Sequence, residues 1–200
     1  MYFFTHLFIS KVLYQHLANE VELNQRAFSY GNIKPDLPSS KRNHHTLEKC
    51  LDTVCEYSNQ LRNKEMSIED YSVRLGEICH YISDFFCFYH LSEELHDRKL
   101  HHFLYEIRLH MSLFHLKNNF KNELLSSTKE PRKNIESMIL EMRMAYFSQI
   151  HHMEMDVEYA LMASVWICDS IIYFSKYASD LSEESEQILY KFMFAQGGKS

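Results

Sequence analysis

The residues best equipped for chemistry in this chain are histidines with acids close by: 13 histidines and 27 acidic residues in 200 positions. Imidazole and carboxylate exchange protons near neutral pH, and they are the usual nitrogen and oxygen ligands of zinc. Residues four apart lie on one face of a helix, so a histidine followed four positions later by Asp or Glu can present both groups to one ligand. Chance placement yields about two such pairs in a chain of this composition. Six occur: His16 with Glu20, His44 with Glu48, His80 with Asp84, His90 with Glu94, His102 with Glu106 and His152 with Asp156. Any one alone reads equally well as a surface ion pair.

The densest stretch is HYISDFFCFYH, residues 80–90. His80 and Asp84 share a helical face. His90, on a continuous helix, stands about 80° round and about 15 Å along from His80. One metal cannot take all three, but two or more can, with Asp84 serving one or bridging two and His90 joining His102 and Glu106 from the next helix. Two histidines and a carboxylate leave zinc an open position for water, which catalytic zinc requires. Helical bundles build such sites from inward-facing His and carboxylate on neighbouring helices. Taken alone, His80 and Asp84 are more often a hydrogen-bonded pair. Tyr81, Phe85, Phe86, Phe88 and Tyr89 could cage a choline-like cation, but aromatics at this spacing more often pack a helix.

These side chains need helices to position them, and the composition favours helix. Hydrophobic residues make up 46%, while Gly numbers 4 and Pro 3, too few turn residues for a strand-and-turn architecture. Helical spacing recurs in Leu47, Leu51, Val54 and Leu61, and again in Leu75, Ile78, Ile82 and Phe85. Ser67 with Asp70, and Asp180 with Glu183, read as helix starts, and Pro131 suits a first turn. The predicted helices are 5–20, 44–63, 68–91, 97–125, 131–178 and 181–193. The fifth would span about 70 Å if straight, so a break is expected near His151 to Asp156. Ser29 to Arg42 reads as a stiff loop in which Pro35 and Pro38 flank Asp36. The length suits one all-α domain over residues 1–200.

Charge and cysteines narrow the function classes. A net charge of −6 without a long Lys/Arg cluster disfavours nucleic acid as a partner. Five cysteines without zinc-ribbon or disulfide-framework spacing read as reduced thiols in a helical core. MYFFTHLFIS lacks a basic segment and an A-x-A cleavage site, so the expectation is a cytoplasmic chain that is not exported. The longest unbroken apolar run, Ala160 to Cys168, is about half a membrane span. That leaves peripheral membrane contact open, through Met1 to Phe4.

In order along the chain, THLFIS with His6, YGNIKPD with Asp36, the pair His44 and His45, LGEICHYISDFFCFYH with His80, Asp84 and His90, and HHFLYE with His102 and Glu106 resemble the bacterial zinc-dependent phospholipase C family. Its fold is similar to that of the S1/P1-type zinc nucleases. The resemblance spans residues 5–106, with only helical character agreeing beyond, and implies an all-α single-domain bundle with a metal cluster in its core. It implies two or three zinc ions. The first would be held by His80 and Asp84 with His44 or His45, His45 being favoured. The second would be held by His90, His102 and Glu106. The third would take His6 and bridging Asp84. In the family an N-terminal tryptophan completes that third position, and in its place this chain offers the Met1 amine. Asp36 matches an aspartate that acts as general base in the phospholipases and as a zinc ligand in the nucleases.

The implied activity is hydrolysis of a phosphodiester, in a phospholipid or a small soluble ester, by metal-activated water. A nuclease or nucleotidase on the same scaffold, or a zinc-binding protein that has lost catalysis, are the alternatives. Because neutral imidazoles must bind the metal, zinc content and rate should fall together below about pH 6 as histidines protonate. Elemental analysis and rate measurement at about pH 5 check this, and full retention of both would contradict it.

Overall fold

A computed structural model describes residues 1–37, 45–113 and 129–195, with side chains as far as Lys176. Eight α-helices and no strand occur among the described residues: α1 (Phe3–Leu17), α2 (Gln25–Gly31), α3 (Leu47–Asn63), α4 (Ile68–Phe85), α5 (Glu93–His96), α6 (Lys99–Ser112), α7 (Ile135–Phe147) and α8 (Met153–Ala195). Two short 3-10 turns, Lys34–Asp36 and Phe88–His90, join them. The all-α expectation is met.

Local chemistry sets several helix starts. Asn24 accepts from the Ala27 N–H at 3.0 Å to begin α2, Ser67 from the Asp70 N–H at 3.0 Å to begin α4, and Asn134 from the Ser137 N–H at 3.0 Å to begin α7. The Asn134 cap starts α7 four residues after Pro131, which therefore does not occupy a first turn. The expected break is present, because α7 ends at Phe147 and α8 starts at Met153. No second break follows at Asp180, and α8 runs on through it. Part of the Ser29–Arg42 loop is helical: Ser29 to Gly31 close α2 and Lys34 to Asp36 form a 3-10 turn, while 38–42 lie outside the described residues. The helix expected over 97–125 is described as far as Ser112, and residues 114–128 also lie outside.

α4 lies at the centre, packed against α2, α3 and α8. Its Leu75, Ile78, Cys79, Ile82 and Phe85 are fully buried, facing α8 residues such as Ala160, Ala163, Ile167 and Ile171 that are equally buried. The Cys79 and Cys168 sulfurs touch at 3.4 Å, and none of the five cysteines forms a disulfide. Within α8, Met153–Lys176 is long and apolar enough to cross a membrane by length and composition, since a helix tolerates the acids that interrupt its apolar run. Of its most apolar stretch, however, 72% is buried inside the fold, as in a core helix. His16 on α1 pairs with Asp169 of α8 at 3.1 Å rather than with Glu20.

Two local features put the histidines in place. The first is the α2–α4 crossing, where Gly31 meets Gly76. A Cβ on Gly76 would lie 2.3 Å from the Phe28 carbonyl oxygen, so only hydrogen permits this approach. The Asn32 carbonyl is thereby brought to His80, one turn beyond Gly76, and accepts from its Nδ1–H at 2.8 Å. The second is the end of α4. Its last turn tightens, with the Phe86 N–H donating to the Ser83 carbonyl at 3.3 Å and the Cys87 N–H to the Asp84 carbonyl at 3.0 Å, and the chain leaves the helix at Phe86. His90 therefore does not sit about 15 Å along a continuing helix. The chain turns back and sets His90 Nδ1 3.5 Å from Asp84 Oδ2.

Gly76→Ala should lower the unfolding free energy by about 1–3 kcal/mol through overpacking at the crossing. It should also weaken zinc binding by spoiling the Asn32–His80 bond. Urea denaturation and a zinc titration measure the two effects.

Candidate metal centre

Asp84 is fully buried, and four histidines surround it. Its Oδ2 lies 3.1 Å from His45 Nδ1, 3.3 Å from His80 Nε2 and 3.5 Å from His90 Nδ1, while His6 Nε2 approaches Oδ1 to 3.3 Å. Asp36, its side chain 30% exposed, places Oδ1 3.6 Å from both His45 Nδ1 and His80 Nε2, and Oδ2 3.9 Å from His6 Nε2. His45 Nδ1 and His80 Nε2 are 2.9 Å apart. Ligands held by tetrahedral zinc at about 2.0–2.1 Å stand about 3.3–3.4 Å from one another. The recorded separations in the set Asp36, His45, His80 and Asp84 run from 2.9 to 3.6 Å.

A second group adjoins the first. His90 Nε2, His102 Nε2 and Glu106 Oε1 form a triangle with sides of 3.1, 3.2 and 2.9 Å. The buried Met1 amine forms an ion pair with Asp84 Oδ1 and stands 3.1 Å from both His90 Nε2 and Glu106 Oε1. It meets Asp84 as expected from the resemblance, and it reaches into the second group as well, which was not expected.

Outer contacts orient the rings. The His80 Nδ1–H donates to Asn32 O and the His102 Nδ1–H to His96 O at 3.3 Å, leaving Nε2 of each ring with a free lone pair. Burial, then the neighbouring His80, holds His6 down to about 4, so that its ring is neutral. Burial also lowers His90, whereas in His80 burial is outweighed by Asp84 and Asp36 and the value rises. Burial disfavours the charged form of Asp84, but His90, the Met1 amine, His80 and His6 hold it well below the ordinary carboxylate range. In Glu106 burial is likewise overcome, by the Met1 amine first and then by His102 and His90 beside it.

The donor set fits zinc. Both nitrogens of His6 and Nδ1 of His90 are buried without a hydrogen-bond partner, a cost that a bound cation would remove. The facing lone pairs of His90 and His102 likewise call for a cation between them. His6, Asp36, His45, His80, Asp84, His90, His102 and Glu106 are all brought together. His44, the alternative to His45, lies outside the described residues, and His45 makes the contacts expected of the pair. Of the five spaced pairs among the described residues, two meet at that spacing, His80 with Asp84 and His102 with Glu106. Glu94 pairs with Arg98, and His152 with Glu154.

The sequence profile described as zinc dependent phospholipase C matches residues 5–153. The chain belongs to that family. No curated protein and no solved structure matches it. The matched span holds both groups and continues beyond residue 106 through α7 to the start of α8. Membership in the zinc-dependent phospholipase C family makes the chain, at the level of the family, a zinc-dependent hydrolase, and the His and Asp groups able to hold metal accord with it.

Two further residues join this phospholipase C-like centre without being found in the sequence. One nitrogen each from His90, His96 and His102 lie within 4.8 Å of one another, as do ligand atoms of Cys87, His90 and Glu106. The regular spacing of residues 90, 96 and 102 was the available signal, but it matches no helical face.

A second buried carboxylate braces the centre from behind. Asp156 Oδ1 accepts from Tyr146 OH at 2.7 Å and from His151 Nε2 at 2.9 Å, and Oδ2 accepts from the Phe88 N–H and Tyr105 OH, both at 2.8 Å. Phe88 is two residues before His90 and Tyr105 is next to Glu106, so Asp156 fixes the turn and the helix that carry the second group. The hydrogen bond to Asp156 raises His151, and burial followed by Asp156 raises both tyrosines. Asp156→Ala strands four donors and should cost about 3 kcal/mol or more of stability. Asp156→Asn, which keeps an acceptor for the Phe88 N–H, should cost less, and urea denaturation of the two variants decides.

Proposed function

We propose that the protein hydrolyses a phosphodiester in a phospholipid or a small ester related to it, using two or three zinc ions. The observation that carries this reading is the sharing of Asp84: both groups touch one buried carboxylate, so ions held by them stand side by side, as in-line displacement at phosphorus uses them. His45, His80 and Asp84 would hold the first ion with Asp36 beside it, and His90, His102 and Glu106 the second. His6, Asp84 Oδ1 and the Met1 amine would frame a third position. Zinc bound there supplies Lewis acidity and an acidified water at neutral pH.

The chain's own residues do the rest. Asp36 is the only carboxylate of the first group with access to solvent, 30% exposed against 0% for Asp84, so it is positioned to take a proton from the attacking water as general base. Buried His6, His80 and Asp84 hold their positions and exclude bulk water. Phe85 and Phe86 belong to the core and Phe88 packs against Tyr105 and His151, which leaves half-buried Tyr81, edge-on to His45 and His80, and Tyr89, stacked on His102, as aromatic faces for a head group.

Two observations favour a lipid over a polynucleotide. The chain has a net charge of −6. Beside the site, Leu100, Phe103, Leu104 and Met111 form an exposed apolar stripe on the outer face of α6, with Phe4 exposed nearby. A surface of this kind suits peripheral contact with a bilayer.

The test combines elemental analysis with hydrolysis of a chromogenic phosphocholine ester, bis-nitrophenyl phosphate and single-stranded DNA. The phosphocholine ester should be cleaved fastest, and His80→Ala and His102→Ala should each lose metal and rate. Asp36→Asn should keep the metal and lose about 10²- to 10⁴-fold in rate if the carboxylate is a base. Preference for DNA would move the assignment to a nuclease, and zinc without hydrolysis would reduce it to a binding protein.

A further inference from the structure

His96 is the one histidine at the second group that the family resemblance does not supply. We propose that His96 is a further ligand of the second ion, which is then held by three imidazoles and one carboxylate. This rests on reading His90, His102 and Glu106 as a metal group.

The placement of His96 is specific. It ends the single-turn helix α5, which Ser92 caps by accepting from the Leu95 N–H at 3.3 Å. Its ring stands edge-on to both partners, with centroids 5.1 Å from His90 and 4.8 Å from His102. Its carbonyl accepts from His102 Nδ1–H at 3.3 Å, so its backbone already orients a ligand that its ring faces. The ligand nitrogens of the three rings lie within 4.8 Å of one another, near enough for one zinc to gather all three. Helix α5 contributes no buried side chain, so His96 is not held in place as part of the core.

The chemical consequence follows from ligand count. Zinc with three protein ligands keeps a position for water, whereas zinc with four is closed. With His96 bound, the second ion is a closed, charge-stabilising ion, and the solvent-accessible position belongs to the first group beside Asp36. The two ions then have unequal roles.

The test uses the full chain, stripped of metal and reloaded with zinc or cobalt(II). His96→Ala removes the ring and keeps the carbonyl bond to His102, so it isolates ligation from positioning. Competition against a chelating dye should show one ion bound about tenfold or more weakly in His96→Ala, with the first ion unchanged. The cobalt absorption bands of that ion should weaken as its four-ligand set opens. His96→Cys, which restores a ligand, should recover the affinity, and the thermal midpoint of the metal-free protein should be the same in all three. An unchanged affinity and spectrum in His96→Ala, alongside loss of the ion in His102→Ala, would overturn the role of His96 alone. A wild-type chain that takes up no zinc would overturn this inference together with the metal reading beneath it.

Discussion

Burying Asp84 is the constraint around which the rest of the structure is arranged. A carboxylate with no exposure is tolerated only when positive charge and hydrogen-bond donors surround it. This chain meets that requirement from five places: His6 on α1, His45 ahead of α3, His80 on α4, His90 in the turn after α4, and the Met1 amine. Each comes from a different part of the chain, so folding and assembly of the centre are one process. The same crowding leaves imidazole nitrogens facing one another or facing nothing, which a divalent cation resolves and a proton resolves less well.

The fold's less usual features answer to that constraint. Helix α4 needs its His80 and Asp84 deep in the bundle, and the Gly31–Gly76 contact lets α2 come close enough to hold His80 by a backbone carbonyl. It must also end before His90, and the tightened turn at Phe86 and Cys87 closes it. Asp156 then catches the turn through the Phe88 N–H. Two buried carboxylates thus stand on either side of the second group, one facing its ligands and the other their supports.

The two groups differ in what backs them. The first is enclosed by α1, α3 and α4, with only Asp36 reaching solvent. The second lies between a short turn, a one-turn helix and α6, whose outer face is apolar and exposed. A rigid group and a more open one are consequently set side by side, with half-buried Tyr81 against the first and Tyr89 against the second.

Parts of this were legible in the sequence because they depend on helix geometry alone. His80 with Asp84 and His102 with Glu106 are four apart on single helices, and that spacing fixes their meeting wherever the helix goes. Helical composition, the Ser67 start and the break before α8 were legible for the same local reason. Spacing misled where tertiary packing took over: Asp169 claims His16 from across the core, and His151, in the break before α8, reaches Asp156 in place of its neighbour His152. The return of His90 to Asp84 depended on where α4 stops, which no helical spacing records. His96 stayed hidden because α5 is a single turn whose direction no periodicity records. By itself the sequence determined the ligand types, their order and the helices that carry most of them. Only the tertiary structure decided which ligands converge, since convergence on a buried carboxylate is a property of the packed bundle and of no single segment within it.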